Sequence, residues 1–521
     1  MKLKTLTTAI LFATVPATSV FAAALDRSGQ SMSAFLQPNN YFEAGISVLD
    51  PTVEGREAGT SETRRDIEDM GEDYYFPSAA LKLQLTDNIS FGLLYDQPFG
   101  ADAKYHGSNI FVSDASNTIL PTSSLASIRT STIDKNVNLA LPGQLSANLQ
   151  PGIDQTVTAQ ALGMIAAGKV PAGTPQALVE ASIRNNAQAM QQITAGVTQE
   201  ITKQVTNAVT QQVDAGLAKV NSTLGKGNTS VEVDTQNLSM IFGFQPIKNI
   251  NLYGGAAYQT IKGSVSLRGQ AYSLYNGYDA KIKETSGVGW LAGASYQIPE
   301  IALKASITYR SEIDHDVNAQ ESLPTLSALS LLGDAGAAAA QQIAAATGKT
   351  KITTPQSVNL DLQTGIMADT VAFANVRWVN WKDFSIRPYK FGLVSDVVGK
   401  LPQIGRPNGF NLVEYSDDQW SVNAGVGRKL NDKWAGNVSV GWDSGAGDPV
   451  STLGPTEGYW NVGLGVQYSP TPATFIAGGV KYFWLGDAKA QTGAQAGGSD
   501  YVAEFSDNNA IAYGLKLGYK F

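Results

Sequence analysis

The chain has few side chains that could do catalytic chemistry. Its 521 residues include only two histidines, His106 and His315, and no cysteine. A serine or cysteine hydrolase needs a base beside its nucleophile. His315 lies between Asp314 and Asp316, but neighbours along a strand point to opposite faces, so neither carboxylate would orient the imidazole. This triplet is also a weak metal-ligand set, and no phosphate loop or zinc spacing occurs. We therefore expect no catalytic residue, no bound metal, no cofactor and no enzyme activity.

Four cations fall near the same end of their predicted strands: Lys262, Arg268, Arg387 and Lys390. Arginine can bind a carboxylate through two parallel hydrogen bonds, and lysine can bind it as a point charge. These four residues are candidate ligands for the carboxylate of an amphiphile. The alkyl chain of such a ligand would need an apolar tunnel, which stabilises it by about 0.8 kcal/mol per buried methylene. The alternative for each cation is a rim charge that balances nearby acidic residues.

An unusual group of residues interrupts the segment ISFGLLYDQPFGADAKY, residues 89–105. The interruption consists of Asp96, Gln97, Pro98, Phe99 and Gly100. Proline cannot donate a ladder hydrogen bond and is normally excluded from inner strands. The strand is therefore expected to bulge inward or break at this point. Either a sheet opens there, or Pro98 only ends the strand.

The elements that must position these residues are strands with one apolar face. In residues 511–521, IAYGLKLGYKF, apolar side chains alternate with small or cationic ones, and residues 302–310 and 460–469 repeat the pattern. A period of two is typical of strands. Aromatic residues at the ends of apolar rows, such as Trp460 and Tyr468, resemble the girdles of membrane barrels. Short turns that alternate with long connections favour such a barrel over a soluble sandwich.

Fourteen strands can be counted along the chain. Their bounds are about 41–54, 74–86, 89–105, 230–245, 250–267, 284–297, 301–315, 356–368, 371–385, 411–428, 433–443, 457–469, 473–488 and 507–521. An even number puts both ends on the periplasmic side, and closure leaves no backbone group unpaired in lipid. The predicted fold class is all-β: a 14-stranded antiparallel transmembrane β-barrel over residues 41–521.

Two insertions, at about 106–229 and 317–355, are expected to be helical loops on the outer side. In the first, an apolar residue recurs at every fourth position from Ile193 to Leu217, which predicts an amphipathic helix over about 176–223. Such helices could form an outer groove that captures an alkyl chain. Alternatively, they could cap the barrel or pack against one another.

Breaks in the first of these helices are expected at Gly196 or Gly216, and the second helical loop is predicted over 324–347.

The barrel is preceded by two short segments. Residues 1–24 have the charged, apolar and small-residue regions of a secretory signal peptide, with cleavage after Ala22 or Ala24. Residues 25–40 then lead into the first strand.

The formal net charge of the chain is −8. An acidic chain is a poor nucleic-acid partner. The sequence has no apolar run of about 18 residues, so no transmembrane helix is expected.

In their order along the chain, these features resemble the FadL family, outer-membrane transporters of long-chain fatty acids. The resemblance covers the mature chain apart from the two insertions. The phrases that carry it are ISVLDPTVEG (46–55), ITYRSEIDHD (307–316), WVNWKDF (378–384), WSVNAGVGRKLNDKWAGNVSVGWDSG (420–445) and the last strand.

The resemblance implies a monomeric barrel in the bacterial outer membrane, plugged by a hatch at residues 25–40 that includes Gly29, Pro38 and Asn39. This hatch is shorter than related ones, and Pro38–Asn39 matches the family's Asn-Pro-Ala turn only in part. The resemblance further implies capture of a fatty acid at the outer loops, carboxylate binding around Lys262 and Arg387, and lateral exit into the membrane lipid at the kinked third strand.

The final residue is Phe521, an ending commonly seen in outer-membrane proteins, and we expect their assembly machinery to recognise it. Two other functions remain open. A channel for aromatic or alkane hydrocarbons would not need Arg387 or Lys262. A general diffusion porin would need a water-filled lumen with a constriction loop, and would usually be a trimer.

Overall fold

The computed structural model describes residues 25–120, 122–402 and 404–521. Fourteen antiparallel strands close into one barrel, which confirms the predicted fold class. In chain order they are β1 (Tyr41–Thr52), β2 (Tyr74–Gln84), β3 (Ile89–Asp96, continued by Gly100–Lys104), β4 (Ser230–Ile247), β5 (Ile250–Ser266), β6 (Asp279–Ile298), β7 (Leu303–Arg310), β8 (Ser357–Met367), β9 (Thr370–Val379), β10 (Gln419–Lys429), β11 (Trp434–Asp443), β12 (Tyr459–Tyr468), β13 (Thr474–Leu485) and β14 (Asn509–Lys520). Strand β14 pairs with β1 from Tyr41↔Lys520 to Thr52↔Asn509, and this pairing closes the wall.

The apolar face of each strand points outward. In β12, the side chains of Val462, Leu464 and Val466 are exposed, whereas those of Asn461 and Gln467 on the other face are buried. A belt of exposed aliphatic side chains is stable only in lipid, where backbone groups must also be paired as they are in a closed barrel. The inside-out pattern follows directly from the alternation in the sequence.

Strands β4, β5 and β6 are the longest, with 18, 17 and 20 residues. Most of the others have 8 to 12 residues. At about 3.3 Å per residue, the long strands extend the wall on one side by roughly 20 Å. The rim of the barrel is therefore uneven.

Three strand predictions were too long by five or more residues. The ninth strand ends at Val379 rather than at residue 385. The seventh strand ends at Arg310 rather than at residue 315, and Ile313–Val317 forms a separate hairpin with Thr350–Thr354. This hairpin lies against β6 at Gly287, where an added Cβ would be 2.5 Å from the Asp314 carbonyl oxygen. A glycine at that position therefore makes room for the hairpin. The tenth strand begins at Gln419 rather than at residue 411.

Residues 118–224 form a second compact unit of three helices. These are α1 (Thr122–Ala166), α2 (Gln176–Asn185) and α3 (Ala187–Asn221). The predicted helix over 176–223 is divided at Asn186, and not at either of the glycines proposed. Asn186 has an extended backbone, with φ −86° and ψ 102°, and its side chain caps α3 by accepting a hydrogen bond from the Ala189 N–H.

The apolar stripe of α3 is used inside this unit. Ile193 is buried in a cluster with Ile153 and Val157 of α1 and Ile183 of α2. An ion pair between Arg129 and Asp214 joins α1 to α3 at N···O 2.5 Å. The stripe therefore packs against neighbouring helices, one of the alternatives that the sequence leaves open.

The second helical loop contains a 3₁₀ segment, Pro324–Leu332, and then α4 (Asp334–Ala345). A further helix, α5 (Tyr389–Val398), follows β9 and was not predicted. Within the described part of the chain, no helix is long and apolar enough to cross a membrane. The predicted signal peptide at 1–24 lies outside the described residues.

Candidate functional site

The segment before β1 lies inside the barrel and fills part of the lumen. We call residues 25–40 the hatch. Its Met32 and Phe35 are fully buried, and Phe35 packs edge-on against Tyr253 of β5 with ring centroids 5.6 Å apart. An added Cβ at Gly92 of β3 would lie 2.4 Å from Cδ2 of Phe35. The small residues of the wall therefore admit the apolar side chains of the hatch.

Polar side chains of the wall hold the hatch backbone. Four hatch carbonyl oxygens accept hydrogen bonds: Asn359 Nδ2 to Gly29 at 2.7 Å, Arg310 to Gln30 at 3.2 Å, Lys304 Nζ to Leu36 at 2.7 Å and Lys82 Nζ to Asn39 at 2.7 Å. Bonds from charged donors are about twice as strong as neutral ones. The hatch is thus fixed by directed bonds as well as by apolar packing.

An ion pair inside the lumen joins the start of the hatch to β9. Arg377 Nε lies 2.7 Å from the Asp26 carboxylate, and the two side chains are only 3% and 4% exposed. Of the hatch residues named from the sequence, Gly29 and Asn39 have positive φ angles of 61° and 56°. Pro38 is exposed and belongs to the turn that leads into β1.

The third strand is interrupted where the sequence predicts a kink. Asp96 pairs with Asn237 of β4, and Gly100 pairs with Asp234. Three residues of β3, 97–99, therefore face two residues of β4, which makes a one-residue bulge. The bulge turns Phe99 inward, where its ring contacts Trp381 with centroids 5.5 Å apart.

Beyond the bulge, β3 separates from β2. Pairing between the two strands runs from Gln84↔Ser90 to Ala79↔Tyr95, stops there, and resumes only at the bridge between Gly71 and Ala103. Among the described residues, Tyr75–Ser78 has no backbone partner on this side, and four residues of strand edge measure roughly 13 Å. We call this unpaired stretch the wall gap.

The hatch takes the place of the missing strand partner. The Arg27 N–H donates to the Pro98 carbonyl at 2.7 Å, and the Gly100 N–H donates to the Leu25 carbonyl at 2.9 Å. The Ser28 hydroxyl donates to the Asp96 carboxylate at 2.5 Å. The bulge of β3 is therefore paired with the hatch instead of with β2.

A cavity of about 230 Å³ lies beside the hatch and reaches the wall gap at Ser78 and Asp96. We call it the inner cavity. Nine charged residues line it: Asp26, Glu43, Asp96, Lys304, Arg310, Asp361, Arg377, Lys481 and Lys516. Five are basic and four are acidic, so the cavity carries a formal charge of 5 − 4 = +1.

The outer half of the lumen has a different character. Seven buried or half-buried aromatic residues, which we call the outer cluster, pack there: Tyr275, Tyr278, Trp381, Phe384, Phe391, Phe410 and Tyr415. Ring centroids of Tyr275 and Phe391 are 4.3 Å apart, and those of Trp381 and Phe384 are 5.0 Å apart. These side chains contain few polar groups that need a hydrogen-bond partner. One of them, the Trp381 indole N–H, donates to Gln419 Oε1 at 2.8 Å.

One acidic residue connects the outer cluster to α5. Glu321 accepts hydrogen bonds from the Tyr278 hydroxyl at 2.7 Å and from the backbone N–H groups of Lys390 and Phe391 at 2.8 and 2.9 Å. A carboxylate at a helix N-terminus is stabilised by the unpaired N–H groups. Burial and the charge of Glu321 raise the pKa of Tyr278 far above its ordinary value, so this phenol stays protonated.

The four cations named from the sequence do not form one site. Lys262 lies on the outward face of β5, as do Tyr258 and Leu252, and its Nζ pairs with Asp234 at 3.1 Å. Arg268 pairs with Asp279 at 2.6 Å and donates to the Lys226 carbonyl, which locks the loop after β5.

Arg387 and Lys390 lie together at the start of α5. Arg387 pairs with Asp396 and donates to the Asn408 carbonyl at 3.1 Å. The Lys390 ammonium donates to the Ala344 carbonyl at 3.0 Å. Each of the four cations therefore has a protein partner in this structure, and the inner cavity is lined by other cations.

Gly29 and Asp96, which were named from the sequence, line the inner cavity, but the five cations that line it were not predicted. Arg310 does lie in a quoted family phrase, and strand alternation predicts that its side chain faces inward. The same holds for Trp381 of the outer cluster. Arg377 is separated from Asp26 by 351 positions. Local spacing carries no signal for such a pair.

Comparisons with known proteins agree with this architecture. Residues 181–521 match a family model described as "Outer membrane protein transport protein (OMPP1/FadL/TodX)". No curated protein sequence matches the chain.

Among solved structures, a FadL homologue of Pseudomonas aeruginosa is similar with a TM-score of 0.55 and 12% identity, over 98% of this chain and 99% of that one. The toluene transporter TodX of P. putida matches at a TM-score of 0.47 and 9% identity, over 94% and 91% of the two chains. At such identities, the first similarity is one of fold alone.

Proposed function

Since the chain belongs to the OMPP1/FadL/TodX family of outer membrane transport proteins, we propose that it admits long-chain fatty acids passively across that membrane. Family and fold are those of hydrophobic-substrate channels and not of enzymes. In the proposed route, the ligand is captured at the outer side, enters the lumen, and leaves sideways through the wall gap into lipid. Asp96, Gln97, Pro98, Phe99 and Gly100 then form the lateral opening.

The observation that carries this proposal is the contact between the wall gap and the inner cavity. The cavity reaches Ser78 and Asp96, which flank the point where β2 and β3 part. An unpaired strand edge in lipid costs several kcal/mol per exposed backbone group. The backbone groups at the wall gap therefore need other hydrogen-bond partners. On the β3 side, the hatch provides such partners through its backbone hydrogen bonds to Pro98 and Gly100.

The outer cluster suits the first step. An alkyl chain that enters among these rings gains about 0.8 kcal/mol per buried methylene, and this gain can offset the loss of ring contacts. The rings are held mainly by apolar contacts, which are non-directional and can rearrange around a ligand. Arg387 and Lys390 lie beside this cluster on α5 and could make the first contact with a carboxylate.

The hatch suits the second step. It is held by hydrogen bonds and one ion pair, which exchange for water or ligand contacts without breaking the barrel wall. No energy source is required, because the ligand moves toward lipid and its own binding can offset the displacement of hatch groups. Movement of Leu25–Arg27 would open the gap and the cavity together.

A second function, uptake of aromatic hydrocarbons, is favoured by one observation. The four cations near the outer side all have protein partners, and the outer cluster offers aromatic rings instead of free charge. A neutral ring could stack there without a cationic contact. The related P. putida structure is described as a toluene transporter.

The test is uptake by cells that lack their own fatty-acid channel and carry this chain. Deleting Gln97 and replacing Pro98 with alanine removes the extra residue of β3, so that both parts of the strand share one register with β4. The strand can then pair with β2 along Tyr75–Ser78. We expect oleate uptake to fall at least about tenfold in this variant.

The matched control is Pro77→Ala, which changes the neighbouring outward-facing proline of β2 and leaves the register intact. It should transport oleate at the wild-type rate. Both variants must show the heat-resistant mobility of a folded barrel. Full oleate uptake through the straightened variant would refute lateral exit. Uptake of toluene but not of oleate by the unaltered chain would replace the fatty-acid function with the hydrocarbon one.

A further inference from the structure

The inner cavity contains five cations, and four of them are already engaged. Lys304 and Arg310 donate to hatch carbonyl oxygens, Arg377 pairs with Asp26, and Lys516 pairs with Glu43 at 3.1 Å. Each of these cations therefore has a structural task. Removing one would leave a hatch oxygen or a buried carboxylate without its partner.

Lys481 is the exception. It lies on the inner face of β13, its side chain is only 4% exposed, and it lines the cavity. Among the residues that the structure describes, none accepts a hydrogen bond or forms an ion pair with its ammonium group. An ammonium group removed from water without a partner costs several kcal/mol.

The wall is shaped around this side chain. Lys481 pairs across the sheet with Gly463 of β12, and an added Cβ at Gly463 would lie 3.0 Å from Lys481 Cγ and 2.6 Å from Ser439 Oγ. Gly463 therefore gives the lysine stem a place to lie against the wall, while its head faces the lumen. None of the four acidic residues of the cavity pairs with it. Asp26 and Glu43 are paired with other cations, and Asp96 and Asp361 accept hydrogen bonds from neutral side chains.

A second polar group beside the cavity is also unpaired. Asn423 of β10 lines the cavity, and its buried Oδ1 has no hydrogen-bond partner in the described structure. Carboxamide orientation is set by whatever the group contacts. Facing an anion, the same side chain can turn its amino group inward and donate.

We infer that Lys481 binds the carboxylate of the ligand in the inner cavity and thereby selects anionic amphiphiles over neutral hydrocarbons. This inference rests on the proposed function and deepens it. An anion removes the cost of the unpaired ammonium, whereas a hydrocarbon leaves that cost in place. Charge-assisted bonds of this kind are short and strong in a water-poor site.

The experiment compares oleate with methyl oleate, which has the same chain and no charge. Both ligands are titrated into the purified barrel in a non-ionic detergent. The variants are Lys481→Met, which keeps the length of the side chain without its charge, and Lys481→Arg, which keeps the charge. We expect Lys481→Met to weaken oleate binding about tenfold and to leave methyl oleate binding unchanged, while Lys481→Arg retains oleate binding.

A matched control is Lys516→Met, which removes one positive charge from the same cavity wall but from a paired residue. If it weakens oleate binding as much as Lys481→Met does, the effect is one of net charge and the assignment to Lys481 is wrong. Equal losses for oleate and methyl oleate in Lys481→Met, or no loss for either, would also overturn it.

Failure of the proposed function can be distinguished from failure of the inference about Lys481. If the unaltered chain binds neither ligand, fatty-acid transport itself is refuted, together with the inference. If it binds both with equal affinity and Lys481→Met changes neither, the channel function survives and only the carboxylate site is lost.

Discussion

The outer and inner halves of the lumen are built on different physical principles. The outer half is an aromatic cluster in which rings such as Tyr275 and Phe391 pack 4.3 Å apart. The inner half is a polar cavity whose cations hold the hatch through bonds of 2.7 Å, as from Lys304 to Leu36. Apolar packing is adaptable, and directed polar bonds are specific. A ligand with an apolar chain and a charged head would meet these two environments in turn.

In the proposed route, this difference would separate capture of the ligand from its release. In the outer half, a ligand replaces one set of non-directional contacts with another. In the inner half, a ligand must compete with defined donors and acceptors, and those same bonds cover the wall gap. Under the proposed function, selectivity for the head group would belong to the inner half, even though the ligand would meet the outer half first. Four measurements test this difference between the two halves.

The largest effect is expected when the hatch is locked to the bulge. Ser28 and Asp96 are in hydrogen-bond contact, and the chain has no cysteine, so the double substitution Ser28→Cys and Asp96→Cys can form only one disulfide. We expect oleate uptake by cells to fall at least about tenfold under oxidising conditions and to recover with a reductant. Each single variant is the control. Undiminished uptake by the oxidised protein would show that the hatch need not leave the bulge.

A substantial effect is expected from breaking the buried ion pair of the inner half. Asp26→Asn leaves Arg377 without its counter-charge in a nearly solvent-free site, and such losses typically cost about 3–5 kcal/mol. Amide hydrogen exchange of residues 25–36 should become much faster, whereas exchange in residues 391–398 of α5 should not change. Similar acceleration in both segments would mean that the two halves are not independent.

A moderate, pH-dependent effect is expected in the outer loop between β11 and β12. Burial, with the nearby charges of Asp448 and Asp443, raises the pKa of Glu457 from 4.5 to about 8, against the hydrogen bond that it accepts from the Gly447 N–H. Because the folded loop binds the proton more tightly, its stability falls as pH rises from about 4.5 to about 8 and is level above.

Hydrogen exchange of residues 445–458, corrected for the intrinsic rate, should therefore reveal easier opening at pH 8 than at pH 5. Glu457→Gln should remove most of this dependence, and the hatch should show none of it. A pH dependence that persists in the glutamine variant would assign it to another group.

The smallest effect is expected at Lys262. Its side chain lies on the outward face and forms an exposed ion pair with Asp234, and such pairs contribute about 0–1 kcal/mol. Lys262→Ala should leave oleate binding and the thermal midpoint of unfolding nearly unchanged. Arg387→Ala, beside the outer cluster, is the informative comparison and should weaken oleate binding only slightly. A large loss of oleate binding in Lys262→Ala would contradict the placement of the head-group contact in the inner cavity.

The barrel could be predicted because each membrane-spanning strand carries its own signal. Alternation in residues such as Trp460, Val462 and Leu464 determines the strand, its outward face and its length in lipid. The kink was predictable for the same local reason, since Pro98 conflicts with any inner strand. The outward orientation of Lys262 could also have been predicted, because Lys262 is an even number of residues from Tyr258 and Leu252 and so lies on the same face of β5.

The rest depended on contacts between distant parts of the chain. Nothing near Asp26 indicates Arg377 as its partner, and nothing near Lys481 shows that the other cations of the cavity are engaged. Helix α1 escaped prediction because it has no continuous apolar stripe and contains Pro142 and Pro151. The helix is divided at Asn186 because the side chain of this residue caps the start of α3, whereas the helix continues through Gly196 and Gly216.

The junction of the helical unit with the barrel has a consequence for protein engineering. The chain leaves the barrel and returns to it at one place, where Val112 bridges Asn228 and the Ser113 hydroxyl donates to the Gly225 carbonyl at 2.7 Å. Segments whose two ends lie side by side can be exchanged without lengthening the host connection. Residues 118–224 thus mark an exchangeable position, at which another domain with adjacent termini could be inserted.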